Sequence, residues 1–374
     1  MSRSTQKTVL ILGANGRLGR AAMDAFIAAG WDVLAQARRP IANLPQAARH
    51  IGLDLSNTEA LATAAASASA VVYAINPVHT EWDSKLLPLG RHGMALAERL
   101  GALFMLPGNV YAFGAQMPAR LLETTLPRPT TKKGEQRAAL EDEMQARIQR
   151  GLHSVVIRAG DFFGAGTGSW LDQAVVKSIM KGKIVYPGPL DCVHAWAYLP
   201  DLALAFVGIA ELHRQGALNT PVMRRAATSP TSPTTIIGSF KKIHFAGHNV
   251  TGETLLAAIE QAAVRLNIAA AGELRRGGMP WAVIRLGGIF NPMWRELARM
   301  SYLWRVPHAV ESIAITKLLP DLSPTPLDVA IEATLAALGY AEGQGNKSGN
   351  DSANGKASTQ MTAVLSQLKS NTTT

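Results

Sequence analysis

The chain has 374 residues, 47% of them apolar and 17% charged, with a formal net charge of +10. This is the composition of a soluble globular protein with ample core, organised as two domains or as one enlarged doubly wound domain. The basic pairs Arg38-Arg39, Lys132-Lys133, Arg224-Arg225, Lys241-Lys242 and Arg275-Arg276 are scattered without interleaved aromatics, which argues against nucleic acid and for an anionic small ligand.

A single cysteine, Cys192, permits no internal disulfide and points to a reducing, cytoplasmic setting. The first apolar strand begins by Thr8 or Val9, which leaves no room for a signal peptide. Ala60–Thr80 lacks charged residues, but its Ala, Ser and Thr content and its Asn76-Pro77 break read as a helix followed by a strand. No association with a membrane is expected.

Val9-Leu10-Ile11-Leu12 has the apolar, β-branched character of a buried parallel strand. It runs into Gly13-Ala14-Asn15-Gly16-Arg17-Leu18-Gly19 and then a helix that Gly30 closes. Strand, glycine turn and helix in this order form a dinucleotide cradle, because a pyrophosphate must approach backbone N–H groups at a helix N-terminus. Gly13, Asn15, Gly16, Arg17, Leu18 and Gly19 are therefore candidate cofactor contacts.

The second strand, Trp31–Ala37, ends at Arg38, where an acidic residue would favour NAD and an arginine accommodates a 2′-phosphate. Arg38, with Arg17 as a second cation, points to NADP(H). Asp54 and Leu55, after a third short strand, are candidates for the adenine end. Helix 58–69 leads to strand Ala70–Ile75, and Ala74 and Asn76 join the cofactor set at its end.

A helix over 87–100, a strand over 102–106 and the turn Pro107-Gly108-Asn109-Val110-Tyr111 follow. Helix 133–149 carries Glu141, Asp142 and Glu143, which read as a solvated face. Strand 154–158 ends in Ala159-Gly160-Asp161-Phe162-Phe163-Gly164. This alternation implies an α/β protein of Rossmann type, with a doubly wound parallel sheet over 1–180.

With GANGRLG, NVYAFG, VVIRAGDFFGAG and HAWAYLPDLALA in that order, the chain resembles the short-chain dehydrogenase/reductase superfamily, in its extended, atypical epimerase/dehydratase branch, over 7–338. The resemblance implies a serine or threonine four residues before Tyr111 and a Tyr-x-x-x-Lys pair on the next helix. Pro107, Lys133 and Arg137 stand in those places, so the standard proton relay is missing. Lys133 is the candidate proton donor, Arg137 the candidate ribose ligand and Tyr111 a further catalytic candidate. The superfamily also implies dimerisation through two long helices.

In the second half, His194, Trp196 and Tyr198 alternate and share one strand face. Trp196, Tyr198 and Asn109 are candidate substrate contacts. Asp201 reads as the cap of helix 202–212, a segment returning to the core from a small C-terminal substrate lobe over 181–338. Asn219–Gly238 reads as a surface insertion, His244 and His248 as no metal site, and Pro292–Trp304 as a bulky helix that either covers the substrate or fills the lobe. From Gly339 to 374 the composition cannot bury a core and reads as a disordered tail.

The leading expectation is an NADP(H)-dependent oxidoreductase acting on a carbonyl or alcohol of a small, sugar-like metabolite. A catalytically silent NADP(H) sensor and an epimerase or dehydratase with tightly held cofactor are the alternatives.

Overall fold

The computed structural model describes residues 7–218 and 238–341. Strands β1 (Thr8–Leu12), β2 (Asp32–Gln36), β3 (Ala48–Ile51), β4 (Ala70–Tyr73) and β5 (Leu103–Gly108) alternate with helices α1 (Arg17–Ala28), α2 (Thr58–Ala64) and α3 (Trp82–Leu100). A short strand β6 (Arg120–Leu121) and helix α4 (Lys132–Ala146) lead to β7 (His153–Ala159) and β8 (Asp161–Phe163). The chain continues through β9 (Lys183–Tyr186), β10 (Val193–Tyr198), α5 (Leu199–Arg214), β11 (Ser239–Phe245), β12 (His248–Thr251) and α6 (Gly252–Arg265). It ends with β13 (Arg275–Gly278), α7 (Trp281–Gly287), α8 (Pro292–Arg299), β14 (Ala309–Val310), α9 (Ile313–Leu318) and α10 (Leu327–Ala337).

The central sheet has seven strands in the order β11-β7-β5-β4-β1-β2-β3, and every pairing in it is parallel. Val9, Leu10, Ile11 and Leu12 of β1 are fully buried because helices cover both faces. Apolar residues of α1 and α5 pack on one face, and those of α2, α3 and α4 on the other. The chain winds from β1 out to β3, then returns to place β4 on the other side of β1. Doubly wound sheets bind ligands in the crevice at such a reversal.

A third cluster gathers α6, α10, β9, β10 and Trp304 into the core of a C-terminal lobe. Its small sheets are β12-β10-β8 and the parallel pair β13-β9. A fourth cluster, including Trp82, Tyr111, Phe113, Met300 and Leu303, fills the joint between sheet and lobe.

Three expectations change. The lobe boundary at 181–338 is crossed twice, because β11 returns to the central sheet beside β7 in addition to α5. Glu141 leaves the solvated face: it is 5% exposed and accepts hydrogen bonds from the Arg158 guanidinium, with Nε at 3.1 Å. Asp201 lies inside the first turn of α5 and accepts from the Thr325 N–H at 2.8 Å and Oγ1 at 2.7 Å, tying the lobe to the core instead of capping the helix.

Gly339 and Tyr340 close the C-terminal end of α10, with Tyr340 N–H donating to the Leu335 carbonyl at 3.2 Å. Residues 342–374 of the expected tail, and the expected insertion except Gly238, lie outside the described residues.

Candidate active site

The glycine turn is built by close backbone approach. Gly13 has φ +81°, and a Cβ there would lie 2.9 Å from Ile75 Cγ1 and 3.1 Å from the Ala74 carbonyl carbon, so β1 and β4 meet at the reversal with no side chain between them. At Gly19 a Cβ would lie 2.4 Å from the Gly13 oxygen. The buried Gln36 side chain fixes the turn, its Oε1 accepting from Gly13 N–H at 3.2 Å and its Nε2 donating to Leu53 O at 2.7 Å. Gly16 begins α1 with no side-chain cap, which leaves the first-turn N–H groups for an anion.

A cavity of about 800 Å³ extends from Gly16, Arg17 and Leu18 across the ends of β4 and β5 to the lobe. Ala74, Asn76, Asn109, Tyr111 and Arg137 all line it. Arg137 Nη2 donates to Asn76 Oδ1 at 3.0 Å, and the guanidinium lies 4.7 Å from the centroid of the Trp82 ring. Asn109 Oδ1 accepts from Tyr111 N–H at 3.1 Å. Burial pushes the Tyr111 phenol upward, so it stays protonated across the neutral range.

Arg38 and Asp54 are exposed and do not line this cavity. Asn15 Nδ2 donates to Arg39 O at 3.1 Å, which holds the loop bearing Arg38 beside the glycine turn. Asp54 accepts from its own neighbour Ser56, from N–H at 3.0 Å and Oγ at 2.7 Å, and those bonds hold its carboxyl below the usual range. The Leu55 side chain is core, 3% exposed.

Four expected roles meet a different geometry. Arg17 does not join Arg38: its Nη2 donates to Gly168 O at 3.3 Å, and its charge faces Asp172 and Asp161. Lys133 does not line the cavity; its ammonium donates to His79 O at 2.8 Å and pairs with Glu296 at 2.7 Å, bracing α4 against α8. Trp196 is fully buried against Phe163, His194 and Trp304, and Tyr198 packs on Phe163 at 5.3 Å. Both belong to the lobe core because the strand face they share points away from the cavity.

Other groups in the cavity carry no sequence motif. His79 is held neutral, its pKa pushed down to about 4 by burial and then by Lys133 and Arg137. Burial opposes ionisation of Glu296, yet its bonds with Lys133 and Arg299 hold its carboxyl below the usual range. Met279, Met293, Leu297 and Met300 arrive from the lobe, so 292–304 divides its work: α8 covers the cavity while Trp304 fills the core. The strand-end position of His79, just past Asn76-Pro77, was the one available signal among these. Among the described residues no cluster of His, Cys, Asp or Glu is arranged to hold a metal ion.

A family model for NAD dependent epimerase/dehydratase proteins matches residues 9–222, the stretch that builds this cradle and most of the sheet. The chain belongs to that family. A putative epimerase from Burkholderia cenocepacia is 18% identical, covers 90% of this chain and 99% of its own, and superposes with a TM-score of 0.63. UDP-glucose 4-epimerase from Thermotoga maritima, solved with UDP-glucose, is 12% identical over 88% of this chain and 98% of its own, at TM-score 0.64. The Thermus thermophilus UDP-glucose 4-epimerase, solved with NAD, is 17% identical over 88% and 98%, at TM-score 0.61. At these identities the likeness is one of fold. No curated protein matches the sequence.

The residues fit a nicotinamide dinucleotide. The glycine cradle excludes side chains where the pyrophosphate would lie. Arg17 Nη1 and Arg137 Nε are buried beside the cavity without protein partners.

Proposed function

We propose that the protein is an NADP(H)-dependent oxidoreductase acting on a carbonyl or alcohol of a small metabolite. The observation that carries this reading is the single cavity joining an uncapped, glycine-built helix start to Arg137, Tyr111 and the lobe. The turn 13–19 would hold the pyrophosphate, Arg38 the 2′-phosphate, Asp54 and Leu55 the adenine end, and Ala74, Asn76 and Arg137 the nicotinamide half. The bound nicotinamide supplies reversible hydride transfer. Tyr111, kept protonated by burial, donates a hydrogen bond to the substrate oxygen, and Asn109 fixes the backbone of that turn. The methionines of the lobe exclude water from the reacting carbon.

The NADP(H) preference rests on Arg38, because no carboxylate stands at the end of β2 to accept ribose hydroxyls. Fluorescence titration of the purified protein with NADPH and NADH tests the cofactor, and a panel of carbonyl substrates tests turnover. Tighter NADPH binding with turnover supports the reading. NADPH binding with no turnover on the panel overturns it.

Family membership favours a second reading, an epimerase or dehydratase that recycles its cofactor. In that case the purified protein carries dinucleotide with it and converts a sugar nucleotide with no net change in NADPH absorbance.

A further inference from the structure

Building on the oxidoreductase reading, we propose that Asp161 is the group that exchanges the substrate proton, and that the buried His194 is its positioning residue. The local chain geometry puts the two together. Gly160 has no room for a side chain, since a Cβ there would lie 1.9 Å from the Ala195 oxygen, so the chain entering β8 lies directly against β10. This presses Asp161 onto His194, whose Nε2–H donates to Asp161 Oδ2 at 2.8 Å. The imidazole is 2% exposed, stacked on Trp304 at 4.4 Å with planes 10° apart, and set edge-on to His308 at 4.5 Å. It can neither rotate nor reach solvent.

Asp161 itself lines the cavity, with its side chain 15% exposed. Oδ2 is committed to His194, and among the described residues no donor engages Oδ1. The carboxylate is the common neighbour of the site's other titratable groups: its charge acts on Arg17 from α1, His79 from the β4–α3 connection and Tyr111 beyond β5. From the lobe it acts on Tyr186 of β9 and on His308. The second acid lining the cavity, Glu296, is occupied by Lys133 and Arg299. Pro107 and Lys133 stand at two of the relay positions, and of the two acids that line the cavity Asp161 is the one not paired with a lysine or arginine.

In the oxidising direction, alcohol and oxidised nicotinamide give carbonyl, reduced nicotinamide and one proton. With a nicotinamide bound to take the hydride, Asp161 Oδ1 would accept that proton from the hydroxyl as the carbonyl forms. Tyr111 steadies the oxygen throughout. The reverse direction returns the proton from Asp161.

The test compares Asp161→Asn, His194→Gln and His194→Phe with the unaltered protein. Asp161→Asn keeps NADPH affinity within about twofold and loses roughly a hundredfold or more of kcat, together with the acid limb of the pH–rate profile. His194→Gln retains a donor near the Nε2 position and most of kcat. His194→Phe keeps a packed ring but no donor, and its kcat falls at nearly constant KM.

A readout independent of turnover is the 15N-NMR signal of His194 Nε2 in the free protein, which Asp161→Asn shifts. Full turnover in Asp161→Asn overturns the proposal alone. Equal kcat in the two His194 variants overturns the positioning role. A protein that binds NADPH yet turns over no carbonyl overturns the oxidoreductase reading, and this proposal with it.

Discussion

Asp201 gives the clearest case of one side chain setting a solution property. Burial lifts its carboxyl to about 6, even against the two bonds from Thr325. The unfolded value is near 3.9, so the native state binds the proton more tightly. The stabilising contribution is complete below about pH 4 and is lost as the pH rises through 6, worth at most about 3 kcal/mol. Thermal melts at pH 4.5 and 7.5 should show this fall, and Asp201→Asn should flatten it. Lys133→Met removes one partner of a largely buried ion pair and leaves Glu296 facing the cavity, so stability falls by roughly 3 kcal/mol, measured by urea unfolding. Arg38→Ala should weaken NADPH roughly tenfold to a hundredfold and leave NADH nearly unchanged, since a charged hydrogen bond contributes about 1.5–3 kcal/mol. At this scale the sequence was readable where chemistry is backbone-driven: Gly13 and Gly19 have one physical use at those places. It was unreadable for Lys133, because Glu296, 163 positions away, decides where that ammonium goes. His79 and Asp161 were missed as site groups for the same reason, since their neighbours come from other elements.

Elements were the most legible level. Unbroken apolar runs marked β1 and β4, and Gly30 at φ +74° ends the α1 turn as its position suggested. The alternation of Val193–Tyr198 was real, yet a period of two says only which residues share a face. It does not say whether that face meets ligand or core, and for Trp196 the answer lay in Phe163, His194 and Trp304, three separate segments. The same limit explains Glu141: helix periodicity placed it beside Asp142 and Glu143, while the buried Arg158 that claims it sits on β7. At the start of α1 the consequence is direct. Gly19→Ala drives a methyl group into the Gly13 oxygen, which should cost about 1–3 kcal/mol and abolish NADPH binding, read by thermal melt and titration on the same sample.

The whole molecule interleaves its two cores. The doubly wound parallel sheet followed from the strand–helix alternation, but nothing local told that Ser239–Phe245, which mixes charged and apolar residues, returns to the central sheet, since only its pairing with β7 shows that. A fragment of residues 1–180 should therefore fail to give a dispersed NMR spectrum, lacking α5 on one face and β11 at the edge. That edge also has a history in time. The chain leaves the ribosome in order, and β11 starts 80 positions after β7 ends. At roughly 5–20 residues per second, the nascent sheet carries an open β7 edge for about 4–16 seconds, inviting pairing with any neighbouring chain. Synthesis of this protein is thus a race between its own Ser239–Phe245 and every other strand within reach.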